Sequence, residues 1–219
     1  MSSTTALPPA ARSRAVRWGA RGALLGGAMW ILSGLLAFAF GVRNMGPEGS
    51  LSWYLIESSD GIAVAGTLLA LIGLHARQVP HHGRLGTVGF ALSAAGALSA
   101  IGTYLLYVPR LTDGVVLTVL ENGWLLGWYA GLPLLGLATF RARLLPRWCA
   151  ALVGGYPVVF TAAFLAVDQA GEVRALVGLP LLGVAYALHS AALRSAGSGG
   201  PVPVRAARSR PAPRTPHGD

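Results

Sequence analysis

The chain has no lysine, a single cysteine and little charge of either sign. Each shortage excludes something. A lone Cys149 rules out an internal disulfide, a C-x-x-C redox pair and a cysteine-built zinc site. Charged residues amount to 11%, well below the usage of a soluble domain, whereas 53% of residues are apolar and 30 of 219 are glycine. Catalytic signatures are missing too: no glycine-rich phosphate loop follows a strand, and neither H-E-x-x-H nor C-x-x-C-H occurs. Ser33, Ser58, Ser59 and Thr161 have no histidine at comparable depth, which leaves no case for a serine nucleophile. His75, His81, His82 and His189 lack a closely spaced ligand set, so neither a haem nor a metal is expected, and no cofactor is implied.

What is present is apolar length. A membrane-spanning helix needs about 20 mostly apolar residues, and six such runs lie between the arginines: 22–41, 51–74, 87–109, 115–140, 148–167 and 173–193. The fold class is therefore all-α, a polytopic membrane protein with six transmembrane helices in one bundle. Residues 1–21 read as a disordered basic segment, 22–193 as the bundle and 194–219 as a disordered basic tail, because the two ends cannot bury enough apolar surface to order themselves. The first run follows four arginines and could imitate a signal peptide; its length and the five runs after it make it a retained anchor.

The net charge of +9 would suit nucleic acid, but its distribution points elsewhere. All 17 basic residues are arginine, and with alternating spans every one except Arg43, Arg110 and Arg174 falls on one side. That is the positive-inside bias, which places both termini in the cytoplasm and the protein in the cell membrane. Membrane lipids are the expected partners of the basic tail, and nucleic acid is not.

Three acids, Glu57, Asp60 and Glu121, interrupt the apolar runs, and an ionised carboxylate is expensive in hydrocarbon. At 100° per residue Trp53, Glu57 and Asp60 share one face of the second run, and Glu121, Trp124 and Trp128 repeat the arrangement on the fourth. Tyr54, Tyr104, Tyr107, Tyr129, Phe160 and Phe164 fall in the same outer half of the bundle. Two carboxyls sharing a dry site do not both ionise easily, so one of them can act as a general acid. Flanking aromatic faces attract positive charge. Glu57, Asp60 and Glu121 are thus the candidate catalytic acids, and Trp53, Tyr54, Trp124, Trp128 and Tyr104 the candidate substrate-binding wall. The same residues suit a proton-coupled carrier, which with only six spans would work as a homodimer, or a site for a cationic ligand. A plainer alternative is an interfacial belt of Trp and Tyr with Glu57 and Glu121 in reach of water, which would leave only Asp60 to explain.

The stretches GLHARQVPHHGRLGTVGFALSAAGALSAIG and LLGLATFRARLLPRWCAALVGG resemble a broad group of small six-helix membrane proteins of high-GC bacteria. That resemblance covers about the middle half of the chain, implies the fold and carries no catalytic residue across. In layout the acids and tryptophans are also similar to the small integral-membrane terpene cyclases. Here, however, Trp53 and Glu57 stand four residues apart rather than adjacent, and six spans replace the usual seven. The acids and their aromatic neighbours, with this likeness beside them, make acid-initiated cyclisation or isomerisation of a hydrophobic, lipid-like isoprenoid the leading expectation, with Asp60 or Glu57 as proton donor, Glu121 as partner base or charge-tuning group and Trp53, Trp124 and Trp128 stabilising cationic intermediates. A non-enzymatic role through partner proteins is the third expectation.

Overall fold

A computed structural model describes residues 9–41, 47–79, 83–109, 114–166, 178, 180 and 182–189. The elements are α1 (Pro9–Ala39), α2 (Leu51–Gln78), α3 (Gly83–Tyr107), α4 (Val115–Leu126), a π-helical turn (Gly127–Gly131), α5 (Leu132–Ala142) and α6 (Arg147–Ala166). Residues 182–189 are helical as well, and no strand occurs among the described residues. Four helices are long and apolar enough to cross a membrane: Ala10–Ala39, Leu51–Gln78, Gly83–Tyr107 and Val115–Ala142, the last running through the π turn without a break.

Local chemistry sets the helix ends. Ser50 caps α2 by accepting a hydrogen bond from the Trp53 amide at 3.2 Å, which starts the helix at Leu51. Arg143 closes α5 in the left-handed region (φ 52°), and Pro146 then precedes the first residue of α6. Pro133 explains the π turn. Its ring would crowd the carbonyl four residues back, at Tyr129, and a wider turn over Gly127–Gly131 relieves that clash.

One expectation is corrected at the N-terminus. Residues 9–21 are not disordered: α1 begins at Pro9 and carries Arg12, Arg14, Arg17 and Arg21 as helix. Proline is favoured in the first helical turn, and the alanines and arginines behind it are among the best helix formers. Residues 1–8 and 190–219, together with Arg43, Arg110, Arg174, His81 and His82, lie outside the described residues.

Glycine seams hold the helices together. A Cβ on Gly66 of α2 would lie 2.6 Å from both the Gly22 carbonyl oxygen and the Gly26 amide nitrogen of α1, so only hydrogen fits there. Between α3 and the π turn, a Cβ on Gly127 would lie 2.5 Å from the Gly96 Cα. Gly136 of α5 and Gly154 of α6 meet in the same way. This is the close approach that small residues give membrane helices. A buried polar bond crosses between helices, from Gln78 Nε2 to Thr139 Oγ1 at 2.8 Å.

The seams also fix direction. Gly19 meets Gly73 and Gly26 meets Gly66, so α1 and α2 are antiparallel; Gly89 meets Leu135 and Gly96 meets Gly127, so α3 runs against the α4–α5 helix. As a result Arg12–Arg21, Arg77, Arg84, Arg141, Arg143 and Arg147 gather at one end of the bundle. Glu57, Asp60 and Glu121 lie in the opposite half.

Overpacking the first seam tests this account. Gly66→Leu is expected to lower stability in a detergent unfolding titration by about 1–3 kcal/mol or more, because backbone on both sides must move. Gly155→Ala, whose Cβ would meet nothing within 4 Å, is expected to be neutral or slightly stabilising.

Candidate functional site

The capped start of α2 sets its register, and that register turns one face fully inward. Trp53, Glu57 and Asp60 are 1%, 2% and 1% exposed. At 1.5 Å per residue Asp60 lies roughly 14 Å along α2 from its first residue and Glu57 roughly 9 Å, so the two carboxyls are one turn apart. α3 supplies a wall. Gly61, next to Asp60, lets Tyr104 settle against α2, with 3.4 Å from a Cβ built there to the Tyr104 Cβ. One turn on, the Tyr107 ring meets Trp53 edge-on at 5.6 Å.

The opposite wall comes from the π turn and α6. Trp128 is buried in the π turn, and its ring packs edge-on against Trp124 at 5.2 Å and Tyr156 at 5.0 Å. Tyr156, itself buried, stands within electrostatic reach of Asp60. Trp128 and Tyr156 also roof an apolar cavity of about 40 Å³, bordered by Thr67, Leu71, Leu132 and Val184 towards the arginine-rich end. That is room for about three waters by volume, though an apolar lining favours a dry void. Ionising either carboxyl without compensation in such surroundings costs several kcal/mol. An ionisable residue inside a membrane helix is a functional-site candidate by default.

The structure therefore buries Trp53, Glu57 and Asp60 together on α2, reached by Trp128 only through Tyr156, with Tyr104 and Trp124 half-buried. Tyr54 is 42% exposed and touches the group only through its edge contact with Trp53 at 4.8 Å. Glu121 stays outside. It is exposed because α4 buries none of its residues; the helix reaches the packed interior only from Gly127 onward. The interfacial belt fits Glu121, Tyr54 and the exposed Tyr129, whose hydroxyl pairs with Thr161 at 2.6 Å. It does not fit Trp53 or Glu57. The side chains of Phe160 and Phe164 lie outside the described residues. Tyr156 is the member that sequence reasoning missed, although a hydroxyl in the middle of an apolar run, beside Pro157, was the available signal.

Histidine plays no part in this group: the His75 ring stacks on Phe90 at 3.9 Å near the arginine-rich end of α2. Among the described residues no three of His, Cys, Asp and Glu gather closely enough to hold a metal ion.

Truncation should separate the buried from the exposed members. Trp128→Ala is expected to cost about 3–5 kcal/mol, as for a large buried aromatic, and Glu121→Ala to stay within about 0.5 kcal/mol; reversible unfolding in detergent reads both. No family model, curated protein or solved structure matches the chain, and the functional reading therefore comes from these residues.

Proposed function

We propose that this is a six-span protein of the cell membrane with both termini in the cytoplasm, and that it exchanges protons for small lipophilic cations at Glu57 and Asp60. The gathering of the described arginines at one end of the bundle supports the orientation, since arginine marks the cytoplasmic side. The acids then sit in the outer half. Helical residues at 178, 180 and 182–189, where Gly183 packs on Trp148 and Leu152 of α6, support a sixth helix.

One observation carries the chemistry: two carboxyls one turn apart, each no more than 2% exposed, stand between aromatic walls. Protons neutralise such a pair, and so does a cation small enough to reach it; two occupants that satisfy the same charge exclude one another. Competition for a shared acidic site is what couples a proton to a cargo. Trp53 and Trp128 add faces that attract a desolvated cation, and an intramembrane acid is the usual mark of a proton or substrate path. Six spans are few for a lone carrier, so this reading includes a homodimer.

The aromatic walls favour one second reading, acid-initiated cyclisation of an isoprenoid with Asp60 or Glu57 as the donor. The two readings differ in product: exchange leaves its cargo chemically unchanged, whereas cyclisation makes an isomer of its substrate.

Everted membrane vesicles with an imposed pH gradient, followed by an acridine dye, test the exchange. Adding tetramethylammonium is expected to dissipate the gradient with the wild-type protein and with Glu121→Gln, and to do nothing with Asp60→Asn or Glu57→Gln. Infrared difference spectra across pH should show a carboxyl band that disappears in the same two variants. A wild-type spectrum without a band sensitive to either substitution would overturn the proposal. Conversion of a polyprenyl substrate by purified protein, lost in Asp60→Asn, would establish the cyclase instead.

A further inference from the structure

A second feature lies at the arginine-rich end, away from the acids. The close approach of Gly136 and Gly154 draws α5 and α6 together, and the small residues beside that seam, Ala151 and Gly155, leave an open trough of about 670 Å³ along the outer face of the pair. Its rims are Leu137, Phe140 and Trp148, which are 43%, 50% and 42% exposed. Arg147 closes one end, with its guanidinium carbon 5.8 Å from the centre of the Phe140 ring. That contact holds a positive charge at the mouth of an apolar channel. Arg141 in the last turn of α5 and Arg143 in the short link before Arg147 are exposed. The acids in the described part of the membrane helices, Glu57, Asp60 and Glu121, are in the other half of the bundle.

We infer that this trough binds one anionic phospholipid of the arginine-side leaflet, with an acyl chain lying over Gly155 and Ala151 and the phosphate-bearing headgroup at Arg147, Arg141 and Arg143. Charge complementarity selects the occupant. A zwitterionic lipid would fill the trough equally well but would bring no net negative charge to three guanidiniums. Basic pockets between helices at the cytoplasmic surface recognise acidic headgroups by this combination of a charged mouth and an apolar slot, and arginine suits phosphate because its planar fork can donate two parallel hydrogen bonds. The site is independent of the proton-exchange proposal, because no residue is shared between them.

Trp148 on the rim provides the readout. Full-length protein is reconstituted in vesicles of phosphatidylcholine containing a small fraction of either brominated phosphatidylglycerol or brominated phosphatidylcholine, and the quenching lost in Trp148→Phe is taken as the Trp148 signal. Brominated phosphatidylglycerol is expected to quench that signal at concentrations about fivefold lower, the preference that one basic residue near the surface confers. Arg147→Gln should bring the two lipids together. Gly155→Leu should weaken quenching by both lipids, because it fills the trough at a position where a Cβ meets nothing within 4 Å and the fold has no cause to change.

Equal quenching by the two lipids in the wild type would overturn the inference, as would a phosphatidylglycerol preference that survives Arg147→Gln. Quenching by both lipids left unchanged in Gly155→Leu would show that the arginines attract lipid without the trough, and that too overturns it. Should Gly155→Leu instead convert a dimer to a monomer while lipid preference is unchanged, the trough is occupied by a second copy of the chain and the lipid assignment fails.

Discussion

Inside hydrocarbon, helices gain nothing by hiding apolar surface from one another, so close contact must do the work that water exclusion does elsewhere. The α1–α2 seam is where this chain meets that requirement. Gly22 and Gly26 on one helix and Gly66 on the other remove the side chains that would hold the backbones apart. On a helical projection at 100° per residue, the seam face of α2 and the face bearing Trp53, Glu57 and Asp60 point in roughly opposite directions. Gripping α2 from behind by α1 therefore turns its acids towards α3, the π turn and α6. Without the seam there would be no reason for those carboxyls to be inside.

That inward orientation has a cost, which the fold offsets locally. Ser59 returns its hydroxyl to the Leu55 carbonyl at 2.8 Å and Thr67 does the same to Ala63 at 2.9 Å, so the smaller polar groups of α2 satisfy themselves within the helix. A carboxyl on a short side chain has fewer ways to do this. Its stability depends on what the neighbouring helices bring, and here they bring the rings of Tyr104, Tyr107, Trp128 and Tyr156. The same helices could have supplied leucine at lower cost. Polar and aromatic groups at these positions mean that the interior of this bundle is built around a titratable pair and is more than packed filler.

Much of the helical architecture was legible because apolar length and arginine placement are one-dimensional signals. The runs that form Leu51–Gln78 and Gly83–Tyr107, and the arginines between them, can be read along the chain. The inward face of α2 was legible for the same reason, since i, i+4, i+7 spacing determines a face wherever the helix is regular. Glu121 shows the limit. Periodicity places it on the side of Trp124 and Trp128, but burial depends on how many neighbouring helices cover a face, and α4, packed on α3, buries none of its residues. Tyr156 was hidden for a related reason: it joins Asp60 across a helix interface, and no spacing within α6 reveals which helix it will face. The start of α1 was misjudged because composition distinguishes apolar from polar segments better than helix from coil.

The π turn connects these elements into a device. Residues before it are exposed or half-buried, with Gly123 against Ser99 and Leu120 near Gly102 of α3, and residues after it include fully buried ones, so Gly127–Gly131 marks where the helix enters the interior. Trp128 sits at that boundary and touches Tyr156, which faces Asp60. Wider turns of this kind are frequent at functional sites. Tyr156 and Trp128 thus link the surroundings of Asp60 on α2 to the turn at which α4 passes into α5.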